Sequence, residues 1–188
     1  MNRIKATIWF TVCATIALSF ACGGQINEAN KLVDEANVII KSYNDDSVRS
    51  GKLVTELLGE NLKKAEDLDE YKKANKAKFD ELVALSEKLE KSGADATSKF
   101  DQASKLKLDD KFKEYLTLKV QEMNKRGEID KQTTAFVKGF LDAKDFEAVD
   151  ALIGDYNKKS ADTQKAADEL MNKANQVTKD NPSVFKSN

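Results

Sequence analysis

Acidic residues occur in adjacent pairs along this sequence. The pairs are Asp34-Glu35, Asp45-Asp46, Asp69-Glu70 and Asp109-Asp110. Paired carboxylates can act in acid–base catalysis or bind Ca²⁺. None of these pairs has the glycine-containing spacing of an EF-hand loop. Several of the pairs fall where helix N-termini are expected, and Asp and Glu stabilise the first turn of a helix, so we favour a helix-capping role for the pairs over a catalytic or Ca²⁺ site.

The residue types that proteins use most for catalysis and metal binding are scarce here. The chain has 0 His and 2 Cys, which are Cys13 and Cys22. His is the commonest general base and transition-metal ligand, and the di-iron sites of four-helix proteins need Glu-x-x-His motifs. Zinc sites of the usual structural kind need Cys or His. We therefore expect no catalytic residues, no metal and no cofactor, and a protein that is not an enzyme.

Small and polar side chains interrupt the apolar stripes described below, near the middle of each stripe. They are Ser47, Ser50, Gly51, Ser86, Gly93, Ala96, Arg126, Thr133, Ser160, Thr163 and Ala167. One interpretation is a polar waist that holds a small ligand. The other, which we favour, is close helix packing with hydroxyls bonded to their own backbone. Arg126 is expected to pair with Glu122 or Asp130, each four residues away.

Apolar residues recur at alternating spacings of three and four along most of the chain. The first run is Ile26, Ala29, Val33, Ala36, Ile40, Tyr43, Ser47, Ser50, Val54 and Leu57. This spacing is typical of amphipathic helices with coiled-coil-like packing. Together with turn and cap residues, it predicts helices over about 25–58, 68–105, 109–143 and 146–180, with 60–67 as a polar connection. Beyond Pro182, Val184 and Phe185 are candidates to dock on the bundle end.

Four long helices with short connections predict an all-α protein. The fold we expect is an elongated up-down-up-down four-helix bundle with long coiled-coil-like helices. Two helical hairpins that dimerise would satisfy the same pattern. The protein is therefore expected to be a monomer or a homodimer.

Composition limits the classes of partner. The chain has 188 residues, with Lys+Arg 31 against Asp+Glu 32, and 34% of its residues are charged. A nucleic-acid-binding domain would be strongly basic, so we expect no nucleic acid partner. High, mixed charge is instead typical of long, solvent-exposed helices.

The N-terminal segment has the organisation of a secretory signal. Arg3 and Lys5 precede an uncharged, mostly apolar run from Ala6 to Ala21. The run ends in Leu18-Ser19-Phe20-Ala21-Cys22-Gly23-Gly24, which resembles the lipobox of bacterial lipoproteins. Ser19 and Phe20 depart from that pattern, which usually has an aliphatic and a small residue at these positions.

The lipoprotein resemblance implies how the chain is processed and held. Residues 1–21 would be the signal peptide, and residues 22–188 the helical bundle domain. Cys22 would be the lipid attachment site, bearing diacylglycerol and a further acyl chain such as palmitate. Gly23 is not the Asp that retains such proteins at the inner membrane, which implies the outer membrane, on its periplasmic face or at the cell surface.

Two other fates of the N-terminal segment remain open from the sequence. Ser19-Phe20-Ala21 also fits the small-x-small cleavage rule of an ordinary secretory signal, which would release a soluble protein. The uncharged run is also close to the minimum of about 17–20 residues that spans a bilayer, so it could remain as a membrane helix. All three fates place the rest of the chain outside the cytoplasm.

These observations support two functional hypotheses. The first is a membrane-anchored cell-envelope lipoprotein that displays a helical bundle as a non-enzymatic binding or scaffold module for an envelope protein. The second is a small-ligand-binding or substrate-carrying bundle of a transport system, which would use the polar waist.

Overall fold

The structure is a computed structural model that describes residues 25–185, and over these residues it is helical with no strand. Four long helices form the body of the protein. They are α1 (Gln25–Leu57), α4 (Lys76–Ser104), α5 (Asp110–Asp142) and α6 (Phe146–Asp180). Three short helices are α2 (Glu60–Lys63), α3 (Leu68–Ala74) and α7 (Pro182–Phe185). The predicted all-α bundle is confirmed, while the predicted signal peptide and Cys22 lie outside the described residues.

The helix predicted over 68–105 is divided at Asn75 into α3 and α4. The Asn75 side chain donates to the carbonyl oxygen of Tyr71 at 3.0 Å, and its backbone N–H donates to the same oxygen. Asn side chains compete in this way with the helical ladder. Gly93, in contrast, lies inside an unbroken α4.

The segment 60–67, predicted as a polar connection, contains the short helix α2. Leu62 of α2 is buried with Leu68 and Tyr71 of α3 in an apolar cluster at this end of the bundle. The Tyr71 hydroxyl also donates to the Leu57 carbonyl oxygen at 2.7 Å, near the end of α1. Burial of these side chains explains why the segment is ordered against the bundle.

Aspartate side chains begin three of the helices. Asp67, Asp109 and Asp145 each accept a hydrogen bond at 2.8 Å from a backbone N–H in the first turn of α3, α5 and α6. These are N-cap bonds, which satisfy donors that the helix itself leaves unpaired. The pairs Asp69-Glu70 and Asp109-Asp110 therefore lie at helix N-termini, as predicted.

The other two acidic pairs do not. Asp34-Glu35 and Asp45-Asp46 lie inside α1, which is unbroken from Gln25 to Leu57. Glu35 binds Lys99 of α4 at 2.5 Å, and Asp46 binds Lys88 of α4 at 2.7 Å. The interpretation of these pairs as helix-start residues was wrong, because each supplies an ion pair between helices instead.

Each long helix packs closely on the next one in the chain. The closely packed pairs among residues 25–185 are α1 with α4, α4 with α5, and α5 with α6, and α1 makes no comparable contact with α6. Along α1 and α4, contacts pair Glu35 with Lys99 and Glu56 with Lys78. The contacts therefore run in opposite directions along the two helices.

The set of heptad positions that α1 buries changes in the middle of the helix. One heptad row remains buried throughout, namely Ala29, Ala36, Tyr43, Ser50 and Leu57. The second row was predicted to continue through Ser47 and Val54. Ser47 is exposed and Leu53 is buried instead. Leu53 is one heptad beyond Asp46, which pairs with Lys88 of α4. In the second half of α1, the buried face therefore includes the side of the helix that meets α4.

The apolar core consists of two separate clusters. Cluster 1 contains side chains of α1, α4, α5 and α7. Its buried members are Ala29, Val33, Ala36, Ile40, Ala96, Phe100, Ala103, Leu108, Phe112, Leu116, Met123 and Phe185. Cluster 2 lies at the other end and also includes α6. Its buried members are Leu53, Leu57, Leu62, Leu68, Tyr71, Phe79, Leu82, Phe136, Val137, Phe140 and Val149.

The C-terminal helix α7 closes the end of cluster 1. Phe185 is buried, and its ring packs edge-on against Phe112 and Tyr115 with centroids 5.7 and 5.5 Å apart. This confirms the expectation that Phe185 docks on the bundle end. Over residues 25–185, the helices lack an apolar stretch long enough to cross a bilayer.

Replacing Gly51 with alanine is expected to stabilise the bundle by about 0.5–1 kcal/mol, because glycine is less favourable than alanine in a helix interior by about that amount. A Cβ atom at position 51 would meet no atom within 4 Å. At Gly59 the same change is expected to destabilise, because its Cβ would lie 3.0 Å from the Thr55 carbonyl oxygen. Urea unfolding followed by circular dichroism measures both. Equal midpoints for the two variants would contradict this packing.

Candidate functional site

Between the two apolar clusters lies a group of buried and half-buried polar side chains, which we call the polar layer. Its members are Tyr43 of α1, Ser86 and Glu90 of α4, Lys119, Glu122, Arg126, Asp130, Thr133 and Thr134 of α5, and Tyr156 of α6. All four long helices contribute to it. It includes the largest concentration of buried charge in residues 25–185, which makes it the candidate functional site.

Glu122 is the most deeply buried charged residue of the polar layer, with a side chain only 3% exposed. Lys119 donates to one carboxylate oxygen at 2.6 Å, and the Arg126 Nε donates to the other at 2.9 Å. The three residues are spaced by three and four along α5, which places them on one side of the helix. Glu122 therefore has a cation on each oxygen, as a buried carboxylate requires. The predicted pairing of Arg126 with Glu122 is present.

Asp130 has a different environment. Its Oδ2 accepts a hydrogen bond from the Tyr43 hydroxyl at 2.8 Å, and within residues 25–185 it forms no ion pair. The pKa of Asp130 is raised to about 7, chiefly by burial and also by the charge of Glu90, whereas the hydrogen bond from Tyr43 and the charge of Arg126 act in the opposite direction. Burial and the neighbouring Asp130 also raise the pKa of Tyr43 far above its ordinary value. The pair is therefore a carboxyl and a phenol that share one hydrogen bond in a dry site.

On its other side, α5 contacts α6 through hydroxyl and aromatic groups. The hydroxyls of Thr133 and Tyr156 are 3.0 Å apart, and the Tyr156 ring stacks on Phe136 with a centroid distance of 4.6 Å. Gln132 donates to Thr163 at 3.1 Å. Burial raises the pKa of Tyr156 as well. These contacts make α6 part of the polar layer without supplying a charge to it.

The small and polar residues predicted for mid-bundle are mostly packed. Ser86 and Thr133 are buried and donate to the backbone carbonyls of Leu82 and Ile129, at 2.9 and 3.0 Å. Gly93 lies against the Tyr43 ring, which would be 3.6 Å from a Cβ at that position. These contacts fit the packing interpretation better than a waist that holds a ligand. Ser47 and Gly51 are exposed, so their predicted place in the layer was wrong.

Two surface hollows lie away from the polar layer. One follows the outer face of α1 from Asn27 to Val38, and the other lies where α1 meets α2, beside Lys78. Within residues 25–185, no group of three or more acidic, His or Cys side chains is arranged to hold a metal ion. The lipid attachment site predicted at Cys22 lies outside the described residues.

The sequence reasoning missed Glu90 and treated Glu122 and Asp130 only as alternative partners of Arg126. A signal was present, because Lys119 and Arg126 occupy stripe positions where apolar residues are expected. A charged residue on a buried stripe needs a partner close by. Comparison with protein-family models, with curated proteins and with solved structures found no match to this chain.

Replacing Arg126 with methionine is expected to destabilise the protein by about 1–3 kcal/mol, because a buried carboxylate loses a charge-assisted hydrogen bond. Adding Glu122→Leu to that variant should restore part of the loss, since the stranded carboxylate is then gone. Arg49→Met is the matched control, because its ion pair with Glu81 is largely exposed and such pairs contribute at most about 1 kcal/mol. Urea unfolding of the four proteins gives the comparison. Equal losses for Arg126→Met and Arg49→Met would contradict a buried role for Glu122.

Asp130→Asn is expected to be more stable than the native protein above pH 7 and about equal to it near pH 4. The folded protein holds the Asp130 proton up to about pH 7, whereas an unfolded chain releases it near the ordinary value of 3.8. Stability is therefore lost as pH rises through this window, by a few kcal/mol at most, since one pKa unit corresponds to about 1.4 kcal/mol. Unfolding free energies measured across this pH range test the prediction, with the exposed Asp155→Asn as control. An identical pH profile for native protein and Asp130→Asn would refute it.

Proposed function

We propose that this chain is an exported cell-envelope lipoprotein, held to a membrane by lipid on Cys22, whose helical bundle acts as a non-enzymatic binding or scaffold module. The observation that carries the proposal is the N-terminal sequence. A positive start and an uncharged apolar run lead directly to Ala21-Cys22, in the order that a lipoprotein signal requires. The outer membrane is the proposed location, on the basis of Gly23.

The first described turn of α1 supports a short connection between anchor and bundle. The structure describes α1 from Gln25, three positions after Cys22. The Gln25 side chain accepts a hydrogen bond at 2.7 Å from the backbone N–H of Lys107, in the turn between α4 and α5. Lipid on Cys22 would therefore hold this end of the bundle, with α7, close to the membrane. The end formed by α2 and α3 would be the distal one.

We infer the up-down-up-down topology for the four long helices. The contacts between α1 and α4 support it, because they show that these two helices run in opposite directions. So do the contacts of α5 with its neighbours. Towards α4, Phe140 meets Phe79 and Lys119 meets Phe100; towards α6, Gln132 meets Thr163 and Arg126 meets Met171. Such a bundle presents a long, charged outer surface. The proposed work is contact between this surface and another envelope protein, with the chain as a monomer or homodimer.

The interior of the bundle favours a binding surface over an internal site. In the polar layer, Glu122 is occupied by Lys119 and Arg126, and Asp130 by Tyr43. A small-ligand carrier would have to displace these internal contacts. A rise in melting temperature with a candidate ligand would favour the carrier function, whereas protein partners that depend on the bundle surface would favour the scaffold.

Cys22→Ser is expected to abolish lipid attachment and to leave the protein outside the membrane fraction. Intact-mass measurement of the native protein should give residues 22–188 plus acyl chains, and the variant should lack the acyl mass. Cys13→Ser is the matched control, because Cys13 would leave with the signal and the mature mass should not change. A full-length native mass would show a retained membrane helix, and a cleaved but unmodified mass would show a soluble secreted protein. Either result would refute the anchor.

A further inference from the structure

The middle of α1 has few side chains that hold it to the bundle. Cluster 1 takes its last buried α1 side chain from Ile40, and cluster 2 takes its first from Leu53. Between them, residues 41–52 form a stretch about 18 Å long at 1.5 Å per residue. Over this stretch α1 buries only Tyr43 and Ser50. Tyr43 is therefore its one large buried side chain.

Other contacts of this stretch are ion pairs to α4. Asp46 binds Lys88, and Arg49 binds Glu81. The side chains of Lys88 and Arg49 are 56% and 66% exposed, and those of their partners Asp46 and Glu81 are 16% and 37% exposed. Ion pairs in contact with water contribute little to stability. The attachment of the middle of α1 therefore depends mainly on how Tyr43 is held.

Tyr43 is held by the one buried carboxyl of the polar layer that has no cation of its own. Lys119 and Arg126 both bind Glu122, which leaves Asp130 with the Tyr43 hydroxyl as its hydrogen-bond donor. An ionised carboxylate without a partner is costly in such a site. A neutral, protonated Asp130 can keep the bond to Tyr43 without that cost.

We propose that the hydrogen bond between Tyr43 and Asp130 is a proton-dependent latch that fastens the middle of α1 to α5. With Asp130 protonated, the latch is closed and the site is dry. Loss of the proton leaves a buried anion that is stabilised when α1 moves away and water enters. The two apolar clusters hold both ends of α1, so the opening is confined to residues 41–52.

The groups that face Asp130 from each neighbouring helix favour this behaviour. Glu90 of α4 is an acid and opposes a second negative charge, and Tyr156 of α6 is a neutral phenol. Tyr43 of α1 donates the latch bond, which by itself lowers the pKa of Asp130, but burial outweighs this effect. On α5, Arg126 lowers the pKa of Asp130 but is already bonded to Glu122. The resulting pKa of about 7 places the loss of the proton near neutral pH.

Opening of the latch would change the surface of the protein without unfolding it. The Tyr43 ring covers Gly93 of α4, and this part of α4 would become accessible. In a surface binding module, pH would then regulate a contact face. This consequence rests on the proposed binding function, whereas the latch itself does not.

Hydrogen exchange read by mass spectrometry tests the latch on the full chain purified in detergent. The opening of residues 41–52, corrected for the intrinsic pH dependence of exchange, is measured one to two pH units below and above the pKa of Asp130. We expect the population of open molecules in this stretch to increase by about tenfold or more at the higher pH. Each unit by which the pKa of Asp130 in the closed form exceeds its pKa in the open form can change this population tenfold. Residues 146–180 of α6 serve as the internal reference and should change little.

Asp130→Asn should remove the pH response of residues 41–52, since the side chain can no longer ionise. Tyr43→Phe should increase the opening of the same stretch already at the lower pH, because the latch bond is absent there. Tyr71→Phe is the matched control, because it removes a buried tyrosine hydroxyl bonded to a backbone carbonyl and should leave the response unchanged. If Asp130→Asn does not fold, the two tyrosine variants decide the question. An unchanged exchange of residues 41–52 across this pH range, an equal increase in α6, or a native-like response in Tyr43→Phe would each overturn the latch. None of these outcomes depends on lipid attachment.

Discussion

Helix α5 packs closely on both α4 and α6, so two of its faces are removed from water. α5 is a 33-residue helix rich in charged residues, and it buries Glu122 and Asp130. The two buried carboxyls are stabilised by different partners. Glu122 is neutralised by cations three and four residues away on its own helix, whereas Asp130 depends on a tyrosine from another helix. The rest of the polar layer follows from this difference.

The polar layer also explains why the core is two clusters and not one. Aromatic rings concentrate towards the ends, as in the group of Tyr71, Phe79, Phe136 and Phe140 at one end and that of Phe112, Tyr115 and Phe185 at the other. Each cluster buries enough apolar surface to hold its end of the bundle. The middle relies on hydrogen bonds and small residues, whose net contribution is smaller. Local opening in a protein is expected where apolar contacts are fewest, which here is the middle.

Much of the architecture could be predicted from the sequence, because local patterns determine it. In α4 the residues spaced by three and four from Phe79 to Ala103 are buried, as the heptad spacing predicts, and Asp109 begins a helix as predicted. The failures have tertiary causes. Ser47 is exposed because α1 has α4 but not α6 as a close neighbour, and a periodicity cannot show which neighbour is absent. Asp130 was considered only as a partner of Arg126, and its bond to Tyr43 was missed because Tyr43 is 87 residues away. The sequence pattern also assumes one buried face per helix, whereas α5 has two buried faces, one against α4 and one against α6.

The position of α1 connects the interior to the proposed anchor. α1 is the helix that follows Cys22, and it is also the long helix whose middle is held by one proton-dependent bond. Its first half is fixed by Ala29, Val33, Ala36 and Ile40, and its last turn by Leu53 and Leu57. A change in the protonation of Asp130 therefore cannot release the bundle from a lipid attached before Gln25. This change can alter only the surface of the middle of α1, between the two ends that the apolar clusters hold. For the proposed lipoprotein, this arrangement separates retention from response, because the apolar side chains that fix the two ends of α1 are distinct from the Tyr43–Asp130 pair that would sense the proton.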